Sequence, residues 1–234
     1  MHTQKTLSPC FTTIYEFQKT LLIKTTGMGK FIIAFILATA FFSVQSYSQN
    51  NSIKYEPLAE CLKKHEIVAS ARSLGGHSGY CMEVLLKNTS GKSLFVEIEA
   101  GRRLISKDSS QQDIFLVKSM KLELLAGSSK RIEVFGFCCQ SSNGSPRLDS
   151  LFDIGFMAPK EWIKLAQLFD SIDYPESTMQ AAVWVLSNNH SISSAHCEDE
   201  NKNNLLKKTL AELTNQTIPW YNLYYKNDTR REGY

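Results

Sequence analysis

Between Glu66 and Cys138 short β-rich runs return at regular intervals, separated by strand-breaking residues, and this alternation constrains the fold more than any other feature of the chain. The runs are "EIVASARSL", "YCMEVLLKN", "SLFVEIEA", "DIFLVKS", "KLELLAG" and "KRIEVFGFC"; the breaks are "GGHSG", "NTSGK", "SKDSSQQ" and "AGSSK". Val, Ile, Phe and Tyr suit a pleated, half-buried surface, whereas Gly, Ser, Asn and Asp supply turn geometry. The pattern predicts an antiparallel β-sandwich over residues 49–145. Alternation places Tyr80, Met82, Val84 and Leu86 on one face of the second run and Cys81, Glu83 and Lys87 on the other. In the last run Ile132, Val134, Gly136 and Cys138 share a face, and Glu133, Phe135, Phe137 and Cys139 share the opposite one. Two phenylalanines on that second face require something to pack over them.

The remainder of the chain, residues 146–234, supplies the cover. "APKEWIKLAQLF" starts on Pro159 and spaces Trp162, Leu165, Ala166 and Phe169 along one helical face. "PESTMQAAVWVL" starts on Pro175 and is apolar almost all round, which predicts a buried helix. "NNLLKKTLAEL" is a third, amphipathic helix, and an aromatic tail, "PWYNLYY", follows it. The fold class expected is therefore α+β: a β-sandwich followed by a three-helix segment that packs on it.

Upstream, "MGKFIIAFILATAFFSVQSYSQN" sets Lys30 before an uncharged apolar run and ends it with Ser46-Tyr47-Ser48. That arrangement reads as a signal peptide over residues 28–48, cut between Ser48 and Gln49, with residues 1–27 as a leader. The apolar run is shorter than the ~20 residues a membrane-spanning helix needs, so no stable span is expected after cleavage. The expected location is secreted, periplasmic or cell-surface. The whole chain carries 26 Lys+Arg against 23 Asp+Glu; without residues 1–48 it carries 22 of each, with no clustered basic surface, which excludes nucleic acid as a partner. In an oxidising compartment Cys61, Cys81, Cys138, Cys139 and Cys197 are disulfide candidates, two bridges and one leftover thiol at most. Zinc held by His196-Cys197 and the vicinal pair is disfavoured, because neighbours at 138 and 139 on a strand point to opposite faces.

A family resemblance enters at "GYCMEV" and "MQAAVWVLSNN", which resemble two motifs of the thioester domains of Gram-positive surface adhesins. Cys81, Gln180, Ala182 and Trp184 match, with Met179 where the family has threonine. The resemblance implies an internal thioester from a cysteine to a glutamine, with Cys81 and Gln180 as candidates, that captures host amines. The region ending in "LLAGSSKRIEVFGFC" also resembles immunoglobulin-like modules of secreted bacterial proteins, which implies an immunoglobulin-like sandwich.

Other catalytic patterns are absent. "GGHSG" has Tyr80 where a nucleophile elbow needs glycine. "HCEDE", His196 to Glu200, reads as an acidic cap before the third helix. No glycine-rich phosphate loop occurs, and Asp149 and Asp153 have no further signal of a glycosidase pair. No catalytic residue, metal ligand or cofactor is therefore assigned. The expectation is a non-enzymatic binding or structural module for a protein or glycan; the alternative is a covalent adhesion domain or thiol-dependent hydrolase centred on Cys81.

Overall fold

A computed structural model describes residues 53–219. The leader, the signal segment with its Ser48/Gln49 cleavage point, and the tail from Trp220 lie outside the described residues. In chain order the elements are β1 (Glu56–Pro57), α1 (Leu58–Lys63), β2 (Ile67–Ser73), β3 (Ser78–Asn88), β4 (Leu94–Ile98), β5 (Arg102–Ser106), β6 (Ile114–Leu116), β7 (Met120–Leu124), β8 (Ser129–Cys138) and β9 (Leu151–Met157). Helices α2 (Lys160–Ser171) and α3 (Glu176–Asn188), a short 3-10 turn at Ile192–Ser194, and α4 (Glu200–Thr214) complete them.

The fold is α+β, but the expected immunoglobulin-like sandwich is not what forms. Six strands close into an antiparallel barrel in the order β2-β3-β8-β6-β5-β9, and a separate three-stranded sheet runs β1-β4-β7. Strand β9, "LFDIGFM", makes the difference: lying beyond residue 145, it pairs with β2 through Ala71↔Phe152 and with β5 through Leu104↔Ile154. Closure removes the exposed edges that a two-sheet arrangement would leave.

Alternation then divides the apolar residues between two cores. The first fills the barrel with Met82, Val84, Leu86, Leu104, Ile114, Val134, Cys138 and Phe152, and takes in Val96, Ile98, Leu122 and Leu124 from the small sheet and Leu58 and Cys61 from α1. The second lies outside β6 and β8, where Phe115, Phe137 and Cys139 pack against Leu165, Ala166 and Phe169 of α2, Ala182, Val183 and Val185 of α3, and Leu206 and Leu210 of α4. Phe135 and Phe137 are the two outward residues that demanded a cover; the helices provide it, with Phe115 of β6 packed beside them. Pro159 and Pro175 stand at the starts of α2 and α3, where no amide hydrogen bond is lost. Asn189 and Asn215 end α3 and α4 in the left-handed conformation, a role asparagine tolerates well. Asp199 caps α4, its carboxylate accepting from the Lys202 amide at 2.9 Å, so "HCEDE" does form an acidic cap.

The face assignment along β3 needs one correction. The β3–β8 register slips between Gly79 and Met82, and Gly79 takes a φ of 75°. The irregularity reverses the alternation there: Tyr80 turns to solvent and Cys81 turns into the barrel, opposite to the strict period-two expectation.

Candidate functional site

No disulfide joins the five described cysteines, which corrects the pairing expected from the compartment: Cys61, Cys81, Cys138, Cys139 and Cys197 are all free and buried. The vicinal pair is divided by the strand itself, Cys138 facing the barrel interior and Cys139 the helical layer. Two thiols are spent on backbone carbonyls. Cys81 donates to the Gly136 carbonyl at 3.7 Å and Cys139 to the Asp113 carbonyl at 3.4 Å. Burial pushes the Cys81, Cys138 and Cys139 thiols up to about 12. Cys61 is raised to about 11, first by burial and then by the Glu56 and Glu66 carboxylates. A nucleophilic thiol needs the opposite environment, exposed and electropositive. The donor atoms of His196, Cys197 and the vicinal pair do not converge on a metal-sized space among the described residues.

Cys81 and Gln180, named by the resemblance, meet the same stretch of β8. Where the register slips, the Gly136 carbonyl accepts from Cys81 and the Cys138 carbonyl accepts from the Gln180 amide at 2.8 Å. Gln180 is buried, and its own carbonyl oxygen has no hydrogen-bond partner. One turn earlier on α3, Glu176 accepts from the Ser78 hydroxyl at 3.3 Å. Chemically this arrangement stitches α3 to the barrel at the irregularity.

A polar seam that the sequence reading passed over runs beside it. The end of "SKDSSQQ", read as a loop, is buried at Gln111 and Gln112, as is Asp113, read as the start of the next β-rich run. Its side chains zip to the segment after the vicinal cysteines: the Gln140 amide donates to Gln112 Oε1 at 3.1 Å, the Asp113 amide to Gln140 Oε1 at 2.8 Å, and Gln112 Nε2 to the Asn143 carbonyl at 3.0 Å. Asp113 also accepts from the Ser106 amide and pairs with Arg103. Composition alone could not reveal this, because the same residues are ordinary turn formers; the usable signal was two glutamines flanked by β-rich runs.

The barrel's second irregularity lies between β5 and β9, where Arg102↔Met157 is followed by Leu104↔Ile154. The extra residue on β9 reverses its alternation, so that Phe156 points outward although Leu151, five residues earlier, does so too. The Arg103 guanidinium sits between aromatic rings, 5.9 Å from the centroid of Phe156 and 5.8 Å from that of Trp162. Phe156 is 68% exposed; Leu151, at the other end of β9, and Leu148, in the loop before it, are exposed too. No helix of the described residues is long and apolar enough to cross a membrane. A shallow pocket of about 260 Å³, lined in part by Trp162, Leu186 and Leu213, is smaller than the ~300–1,000 Å³ usual for small-molecule sites. Compared with models of known families, with curated proteins and with solved structures, the chain matches none.

Proposed function

We propose that this chain is a non-enzymatic recognition module that engages a protein or glycan partner through the outer face of β9 and the loop before it. One observation carries the reading: the register irregularity between β5 and β9 turns a large aromatic ring, Phe156, into solvent beside Arg103, on a strand whose outer face also exposes Leu151. Bulges that re-aim a side chain gather at functional surfaces, and Phe, Trp and Arg are residues that anchor contacts. The frame beneath is stiff. Arg103 is pinned by Asp113, whose amide is in turn held by Gln140, so a partner meets a preorganised surface. For its location the proposal takes the secreted, periplasmic or cell-surface compartment predicted by residues 28–48.

The test is a screen of glycan and peptide arrays with the wild-type chain and with Phe156→Ser. Expected is a ligand class whose affinity falls by about tenfold or more in the variant while the thermal midpoint stays unchanged. Undiminished binding by Phe156→Ser overturns the assignment of the surface. Convergence of Cys81 and Gln180 on β8 favours the alternative, an internal thioester, enough to measure it directly. Intact mass lower than the sequence mass by one ammonia, with the loss abolished in Cys81→Ala, would replace recognition by covalent capture.

A further inference from the structure

The N-terminal edge of the described chain brings three metal-ligating side chains together at five-residue intervals. Glu56 is held in β1 by its parallel pairing with Val96 of β4, α1 presents Cys61, and His65 at φ 56° turns the chain so that Glu66 folds back before β2. One carboxylate oxygen from each glutamate and the Cys61 sulfur all lie within 4.8 Å of one another. Cys61 is fully buried, with no hydrogen-bond partner among the described residues. Glu66 gives one oxygen to Lys92 at 2.9 Å, while its other oxygen, Oε2, is shut off from solvent and has no donor. A carboxylate oxygen taken out of water without a donor is costly, and a cation is the partner that best relieves it. Glu99 is nearby but committed: it receives both Arg102 nitrogens at 2.7 and 2.8 Å and the Ala59 amide at 3.2 Å.

We propose that Glu56, Cys61 and Glu66 form a binding site for a divalent transition-metal ion, with zinc the best fit. A thiolate among the ligands selects a borderline-soft ion over magnesium or calcium, which take oxygen alone. Tetrahedral zinc, with bonds of ~2.0–2.3 Å, places its ligand atoms roughly 3.3–3.7 Å apart, so separations that now lie within 4.8 Å close by up to about 1.5 Å, within reach of side-chain rotation. Binding replaces the Cys61 S–H bond by a sulfur–metal bond and releases the proton to solvent; no oxidation state changes. Lys64 and Lys92, which pair with Glu56 and Glu66, are the more exposed members of their ion pairs and are free to swing outward as the ion enters. Three protein ligands leave a fourth position for water or for a group from a partner.

Titration of the metal-free full chain with Co2+ tests the proposal, because a thiolate ligand produces a sulfur-to-cobalt charge-transfer band in the near ultraviolet. Expected are one equivalent of Co2+, displacement by Zn2+, loss of the band in Cys61→Ser, and Zn2+ affinity weakened about tenfold or more in Glu66→Gln and Glu56→Gln. The glutamine variants, folded by circular dichroism, keep the test decisive should Cys61→Ser fail to fold. Absence of the band, its survival in Cys61→Ser, or unchanged Zn2+ affinity in both glutamine variants overturns it and leaves the cluster as two ion pairs.

Discussion

Replacing Gly136 by alanine adds one methyl group where β8 meets β6, and replacing Gly155 adds one where β9 meets β5. At Gly136 the new carbon would lie 2.7 Å from Ile114 Cγ2, 2.9 Å from the Phe115 carbonyl oxygen and 3.1 Å from Leu116 Cδ2. At Gly155 it would lie 2.7 Å from both the Arg103 carbonyl oxygen and Ile105 Cγ1. Against an ordinary carbon contact of ~3.5 Å, each site is short by roughly 0.7 Å, and in each an obstructing atom is backbone that cannot rotate away. Overpacking of this kind costs about 1–3 kcal/mol. Alanine also narrows the unfolded ensemble, which returns about 0.4–1 kcal/mol, so a net loss centred on about 1.3 kcal/mol is expected at each seam. Gly91 is the internal control, since nothing lies within 4 Å of its added carbon and its alanine variant should gain stability. Urea denaturation followed by circular dichroism reads all three, with the midpoint shifts converted through a common slope. Open edges at these seams would accommodate the methyl group. A Gly136→Ala or Gly155→Ala variant as stable as the wild type would refute the closed barrel as the source of the constraint.

Further outcomes are expected elsewhere. Hydrogen bonds from Arg72 and then Arg131 hold the Glu83 carboxyl down at about 2, so the stability it contributes is complete above the ordinary carboxylate range of ~4.3 and fades as pH falls toward 2. Urea midpoints of Glu83→Gln across that window should lack this part of the slope; identical slopes in both proteins would contradict the assignment. Lys207 is buried in the helical layer with the Ile192 carbonyl as its partner, and desolvation lowers its ammonium to about 8. The unfolded chain holds that proton up to ~10.4, so wild-type stability should rise between pH 8 and that value, on the order of 3 kcal/mol, and Lys207→Met should remove the rise. Because the five described cysteines are free yet buried, Ellman's reagent should meet none of them in the native protein and all five in denaturant without reductant. Thiols that appear only after reduction would restore the disulfide picture.

Much of the architecture could be read from spacing. The alternation in "KRIEVFGFCC" assigned Val134 and Cys138 to one side and Phe137 and Cys139 to the other, and those sides became two separate cores. Leu165, Ala166 and Phe169, expected along one helical face, are fully buried. Closure was not legible, because "LFDIGFM" falls within residues 146–234, read as a helical segment, and its partners β2 and β5 lie far away in sequence. Tyr80 and Phe156 were misjudged or missed for a different reason. Each lies within a slip in register, and an extra residue in a strand re-aims the side chains at that point without leaving a mark on local propensity.

By itself the sequence determined β2–β4, β6–β8 and the three long helices and, away from the register slips, which of their residues share a face, since those follow from steric periodicities of two and 3.6 within a few neighbouring residues, whereas β1, α1, β5 and β9 were not read from it. Tertiary structure alone decided that the strands close on themselves, that the five described thiols stay buried and unbridged, and that Glu56, Cys61 and Glu66 converge. Those outcomes depend on which distant segments pair and in what register, a choice made by the packing of the whole chain rather than by any short stretch of it.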